Sequence, residues 1–314
     1  MRMGETASAG ERRMRRLGVA LGRDADLLAG ATRVQQIELR AAREALALDE
    51  ITTSTALAGY RLTRAELGAL LGRGVAVGGR RLETYDAVAD YAEAVRFADG
   101  LEPAGGRRSH PYIRTEELLE LHRRVCRRTG VAPGSWRERN VAAVRSGLVP
   151  PAHWLVPREV ASFADRFASG PGPRAQPIAW VAGAHARLLR IQPFDGGNGR
   201  VARLVANLLL RRLGWPPAAF AGRLAARYRP ALAAADGGDV AALAELTGDA
   251  VAASFTRLVA ALGRSEDLRP LRELAAPGDL SALVKAAQRG RLRVLRRGAR
   301  VLSTAAWIAE YRAS

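Results

Sequence analysis

Apolar residues recur at helical spacing through most of the chain. "TYDAVADYAEAVRF" puts Tyr85, Val88, Ala92 and Val95 on one stripe, and "TEELLELHRRVCRRTG" puts Leu118, Leu121, His122 and Val125 on another. The second segment carries its own punctuation, with Thr115 as N-cap, Glu116 and Glu117 in the first turn, arginines in the last and Gly130 to stop it. The segment "GVAPGSWRERNVAAVRSGLVPPAHWLVP" holds too much Pro and Gly for a long helix, and "NVAAVRSG" within it fits a short strand or hairpin. Helices resume with "REVASFADRFA" and "IAWVAGAHARLLRI". A strongly apolar one follows in "VARLVANLLLRRLGWPP", with Gly214 at its end and Pro216 and Pro217 barring continuation.

From about Arg264 the elements shorten. The pattern there predicts a helix, a turn at Pro277 and Gly278, a second helix to about Arg289, two short strands around Gly298, and a last helix capped by Ser303 or Thr304. The chain as a whole is mainly α. At 314 residues it exceeds what one core comfortably holds, so two units are expected.

Composition narrows the classes. A single cysteine, Cys126, excludes a disulfide framework and a cysteine-built zinc site. No apolar run reaches the roughly 20 residues of a membrane span, and "MRMGETASAGERRMRR" has no apolar stretch behind its basic residues. A cytoplasmic protein without a membrane partner is the expectation. The formal charge is +18, carried almost wholly by arginine, with Lys285 the one lysine. Much of that charge belongs to a general Ala, Gly and Arg richness. One stretch stands out, because "KAAQRGRLRVLRRGAR" has seven basic residues and no acidic one.

The segment with the clearest chemistry is "RIQPFDGGNGRVARLVANLLL". Gly196, Gly197 and Gly199 let the backbone turn sharply and bring N–H groups close to a ligand. The helix that follows presents unpaired N–H groups and the positive end of its dipole. Arg200 and Arg203 share one face of that helix, where each cation costs about 0.3–1 kcal/mol unless an anion offsets it. A phosphate chain is the natural candidate. A plain turn between helices with solvated arginines is the alternative.

These residues resemble the Fic (Fido) family, whose motif is His-x-Phe-x-Asp/Glu-Gly-Asn-Gly-Arg-x-x-Arg. "QPFDGGNGRVAR" matches it at Phe194, Gly197, Asn198, Gly199, Arg200 and Arg203. Flanking segments extend the likeness over roughly residues 35–260. They are the lead-in "HARLLRIQPF", the exit helix "LLLRRLGWPP", the stretch from Tyr228, and "GSWRERNVAAV" ahead of the flap hairpin. The resemblance implies a Fic-type helical bundle with a short β-hairpin flap. It also implies binding of ATP or another nucleotide, with Mg²⁺, and AMP transfer to a protein hydroxyl. The segments are then 1–34, an N-terminal stretch; 35–110, N-terminal helices with an inhibitory-helix region; 111–263, the Fic core; and 264–314.

Two departures bear on chemistry. Gln192 stands at the family's histidine position, and its amide cannot act as a general base near neutrality. Gly196 stands at the metal-binding acid position, with Asp195 one residue earlier as the substitute metal ligand. A third departure concerns the family's inhibitory helix. "EITTSTALAGYRLTRAEL" resembles it with Ser54 and Gly59 in place, but Ala58 replaces the glutamate that would pair with Arg203. That leaves either an Arg203 free for a phosphate or a relic. Of the histidines, His185 and His122 fit core positions, while His110 and His153 lie in Pro-rich loops. Glu138 and Arg139 read as solvated.

Residues 264–314 resemble the winged-helix domains of excisionase and MerR-like DNA-binding proteins. That resemblance puts Lys285, Arg289, Arg291, Arg293, Arg296, Arg297 and Arg300 against duplex DNA. A solvated basic face is the alternative. Two functions remain open: a nucleotide-binding Fic protein with weak or altered nucleotidyl transfer, or an inactive Fic fold acting as a nucleotide-responsive DNA-binding regulator. Either is compatible with a homodimer.

Overall fold

The computed structural model describes residues 9–31, 33–101, 112–142, 147–172, 175–262, 269–297 and 300–313, with side chains described at all of these except 9, 11, 33–38, 295–297 and 306. The chain forms two compact units. One is Leu46–Val251; the other combines Met1–Ala45 with Ala252–Ser314. The smaller unit is therefore discontinuous in sequence, a grouping that the four expected segments do not contain.

Two long helices open the chain, α1 (Ala9–Ala29) and α2 (Arg33–Leu57). The larger unit takes the C-terminal part of α2 and continues with α3 (Arg64–Arg73), α4 (Leu82–Gly100), α5 (Thr115–Val125), α6 (Val156–Ala168), α7 (Pro177–Ile191), α8 (Asn198–Arg212) and α9 (Arg223–Asp236). It ends within α10 (Ala241–Leu262). The two stripes expected from periodicity are buried, Tyr85, Val88, Ala92 and Val95 on α4 and Leu118, Leu121, His122 and Val125 on α5. Helix α5 starts one residue earlier than expected. Arg114 is its N-cap, and Glu117 Oε2 accepts the Arg114 backbone N–H at 3.0 Å, so Thr115 is already helical.

Helix α8 packs against α4, α5 and α7 and is buried on nearly every side. Several of its polar side chains find partners inside the fold, although Arg212 Nε is buried without a hydrogen-bond acceptor among the described residues. Asn207 Oδ1 accepts from Ala218 N at 2.9 Å, Arg212 pairs with Glu117, and Arg211 bridges Glu50 of α2 and Asp99 of α4. The segment expected to form the flap hairpin has no strand among its described residues, and residues 143–146 lie outside them. Its described part bends and ends in a 3-10 turn at His153–Leu155.

In the smaller unit, α1 buries Met14, Leu21 and Leu28, seven residues apart on one face. Beyond α10 come β1 (Arg269–Pro270), α11 (Leu271–Leu274), α12 (Leu280–Gln288), β2 (Leu295–Arg297), β3 (Arg300–Ser303) and α13 (Ala305–Ala313). The antiparallel sheet has the order β1-β3-β2, with Arg269 opposite Ser303 and Leu295 opposite Leu302. Leu271, Leu283, Ala286, Leu292 and Ile308 form its core. Thr304 is the cap of α13, its Oγ1 accepting from Trp307 N at 3.1 Å, whereas Ser303 Oγ donates to Arg293 O. The sequence pattern gave no sign of β1. No helix among the described residues is long and apolar enough to cross a membrane.

Candidate functional site

The site is the loop between α7 and α8. Helix α7 ends in Gln192, the one non-glycine residue with positive φ (46°) among those described. A left-handed L-residue costs roughly 1–2 kcal/mol, so this backbone has to be held in place. Gln192 N donates to Leu188 O and its side-chain Nε2 to Leu189 O at 2.7 Å, while Arg137 Nε donates to Gln192 O at 2.7 Å.

Arg137 is only 2% exposed, and its donors span three chain segments. Its backbone N reaches Pro193 O at 3.0 Å, Nη1 reaches Arg139 O at 2.9 Å, and Nη2 reaches Pro151 O. Burial pulls its proton affinity down, and the Asp195 carboxylate opposes that. A planar five-donor group suits the task, because no lysine presents so many N–H groups in fixed directions.

Past Gln192 the loop is braced from within. Asn198 Oδ1 accepts from Phe194 N at 3.0 Å, and Asn198 Nδ2 donates to Phe194 O at 2.7 Å. The Phe194 ring is buried against His122, with centroids 3.7 Å apart and planes 6° from parallel, and against Trp136 at 5.2 Å. His122 Nδ1 accepts from Gly134 N at 3.0 Å, so Nε2 carries the proton and donates to Gly196 O at 3.2 Å. Burial holds this imidazole neutral, with a pKa near 4. His122 is thus a clamp on the loop, as its core position suggested. Gly197 has φ +72°, and a Cβ there would lie 2.5 Å from Cys126 Sγ.

Arg200 and Arg203 take a different course from the one the sequence suggested. Both are buried and bonded to the protein. Arg200 Nη1 donates to Val125 O, the last carbonyl of α5, at 3.0 Å, and its guanidinium lies over the Tyr60 ring. Arg203 donates from Nε to Ser54 Oγ and from Nη2 to Ser54 O, both at 2.8 Å. Ser54 is in the last turn of α2, where carbonyls lack helical partners. The carbonyl ends of two other helices therefore offset the two cations at the start of α8. Arg203 is not free in this arrangement, although Ala58 leaves it without a glutamate.

The remaining expected residues divide as follows. Asp195 is exposed, and no group of three or more His, Cys, Asp or Glu among the described residues is placed to hold a metal ion. Ala58 and Gly59 form the turn that ends α2, Gly59 at φ +96°. His185 is buried and bonded to Tyr228 OH at 2.9 Å. That hydroxyl also accepts from Arg203 Nη1 at 3.3 Å, which leaves its own proton for His185 Nε2. This arrangement ties His185 to the structural network rather than to a base role. His153 bonds Asn140, and His110 lies outside the described residues. Glu138 and Arg139 are exposed. In the smaller unit Lys285, Arg289, Arg291 and Arg300 are exposed, but Arg293 is half-buried and paired with Glu310 at 3.1 Å, so it does not face outward with them. The side chains of Arg296 and Arg297 lie outside the described residues.

The sequence reading missed Arg137 and Trp136 as parts of the site. Their signal was present in "GSWRERN", a large aromatic and an arginine inside a segment otherwise read as loop. Tyr228 was quoted only as a flanking residue, and its link to Arg203 depends on the packing of α9.

A buried apolar helix entered through a braced glycine loop defines a helical-bundle protein with its candidate site at a helix N-terminus. The sequence profile of the Fic/DOC family matches residues 112–210. The chain carries a Fic/Fido-family domain. It is 29% identical over 206 residues to protein adenylyltransferase Fic of Drosophila mojavensis, covering 64% of this chain and 39% of that protein. It is 29% identical over 215 residues to protein adenylyltransferase fic-1 of Caenorhabditis elegans, covering 68% and 41%. The chain thus spans about two-fifths of the length of these curated relatives. The structure of residues 134–508 of C. elegans Fic-1 superposes with a TM-score of 0.69 at 25% identity, over 80% of this chain and 73% of that one. A Fic family protein from Desulfovibrio desulfuricans shares the fold over 97% of this chain and 98% of its own, with TM-score 0.64 at 17% identity.

Proposed function

We propose that this protein binds a nucleotide at the Gln192–Arg203 loop and transfers its nucleotidyl group weakly or in an altered way. The observation that carries the reading is the preformed loop. Asn198, His122, Arg137 and Gly197 fix its backbone before any ligand arrives, and α8 has no acidic residue in its first turn to oppose an anion. The relation to adenylyltransferases supplies the class of ligand. A nucleotide fits this donor set. Mg²⁺ fits less fully, because Asp195 is the loop's one carboxylate, so the ion would take most of its oxygens from the phosphates and water. Gln192 sits where the resemblance places the histidine, and the lack of a base there removes about 10²- to 10⁴-fold of rate. A protein hydroxyl is the proposed acceptor.

Binding is tested by the melting temperature of the full chain with millimolar ATP, with and without Mg²⁺. The reading expects a rise that Asn198→Ala abolishes, since that change unbraces Phe194. A wild type unmoved by ATP and by other nucleoside triphosphates would refute it.

One observation favours the second reading, a DNA-binding regulator. The order helix, strand, helix, helix, strand, strand and the sheet order β1-β3-β2 support reading the segment as a winged helix, in which α12 would be the helix that enters a groove. Lys285, Arg289, Arg291 and Arg300 are the exposed cations of that segment assigned to phosphates. The two readings are compatible within one chain.

A further inference from the structure

We propose that the C-terminal segment holds a binding groove for a small carboxylate with an apolar body, a site separate from the glycine loop and competing with the DNA reading for Arg300. The groove, of about 200 Å³, is formed by α11, α12 and β3. Leu271, Leu280, Val284 and Val301 line it, and Arg272 and Arg300 stand with them. Leu271 belongs to the core of this segment, and Val284 and Val301 pack on that core, so the aliphatic surface is backed by a packed layer. Leu280 remains 40% exposed at the first residue of α12, just past its N-cap Asp279.

The charges around the groove are unevenly settled. From Arg269 to Ala313 the acidic residues are Glu273, Asp279 and Glu310. Each is already taken, Glu273 by Arg269 at 3.7 Å, Asp279 by Arg312, and Glu310 by Arg293. Arg272 and Arg300 have no carboxylate within ion-pair distance among the described residues. Two uncompensated guanidiniums beside an aliphatic surface are complementary to one chemistry, an anion that accepts paired N–H donors and carries hydrocarbon behind it.

Size selects among the bearers of that chemistry. A volume of about 200 Å³ holds roughly ten non-hydrogen atoms, too few for a helix or a folded partner and enough for an aryl or branched-chain carboxylate. A DNA phosphate would satisfy the arginines but leave the leucines and valines wet.

The test titrates the full chain with three probes followed by calorimetry and by NMR. Phenylacetate carries both features, phenylacetamide the body without the charge, and acetate the charge without the body. Phenylacetate should bind with a Kd of about 1 mM or tighter, and the other two at least about tenfold more weakly. Arg300→Gln and Leu280→Ser, both at exposed positions, should each weaken phenylacetate about fivefold or more without moving the melting temperature. Equal binding of acetate and phenylacetate, or no response to any probe, overturns the proposal. So does binding that persists in the Arg272→Gln, Arg300→Gln double variant, or a groove that answers only to inorganic phosphate or duplex DNA.

Discussion

Gly197 and Gly59 both hold left-handed backbone, yet only one has a neighbour in the way. A Cβ on Gly197 meets Cys126 Sγ at 2.5 Å, while one on Gly59 meets nothing within 4 Å. Gly59→Ala should therefore cost only the backbone term, about 1–2 kcal/mol. Gly197→Ala should add overpacking, for a total of about 2–5 kcal/mol. Urea denaturation of both variants compares them directly, and equal losses would mean the contact with Cys126 is not felt. Gly196 constrains any attempt to restore family chemistry. A Cβ there lies 2.9 Å from Val131 Cγ2, so Gly196→Asp needs Val131→Ala beside it. With Gln192→His added, the triple variant should raise transfer of labelled AMP by about 10²-fold or more. If it transfers no more than wild type while ATP still raises its melting temperature, the missing base and acid are not what limits the reaction.

Among the elements, the ends of helices govern the site. The start of α8 would be an unfavourable place for two arginines, and the C-terminal carbonyls of α5 and α2 make it tolerable. Periodicity located α5 and α8, and the family resemblance α2, but neither carried information on which end meets which. The same holds for α12, whose exposed cations are legible in sequence while the inward turn of Arg293 is not. If α12 lies in a DNA groove, log affinity should fall linearly with log salt. Replacing Lys285 and Arg289 by alanine should lower the slope by about one to two units. Affinity that ignores salt, or a slope unchanged in the double variant, removes the DNA reading from this helix.

In the whole molecule, the two units should answer acid differently. His122, in Leu46–Val251, has its pKa pushed down from 6.5 to about 4 by burial. Its contribution to stability is complete above pH 6.5 and is lost as pH falls toward 4, because the unfolded chain takes up the proton first. Asp24, in the other unit, has its pKa raised from 3.8 to about 6 by burial, with Arg293 opposing. Its contribution is complete below pH 3.8 and is lost as pH rises through 6. Between pH 6.5 and 4 the first term falls while the second grows. Denaturation across that range should show His122→Asn removing a loss and Asp24→Asn removing a gain. Identical pH profiles for the variants and wild type would mean that neither group is held as the structure places it.

Amino-acid order alone determined the main helices of the larger unit, the glycine loop at the head of α8, the short elements of the C-terminal segment other than β1, and the likeness to Fic proteins. Those features depend on local spacing, which a chain carries with it into any environment. Tertiary structure decided what the charged residues do. In sequence Arg200 and Arg203 read as cations at an anion site, and Arg137 as one arginine in a loop. Folding buried all three and gave each acceptors on the protein, carbonyls among them, from segments as far away as the 149 positions between Ser54 and Arg203. The physical reason is that a buried guanidinium must find acceptors for its five N–H groups. Which carbonyls stand within 3 Å of it is fixed only when distant helices pack.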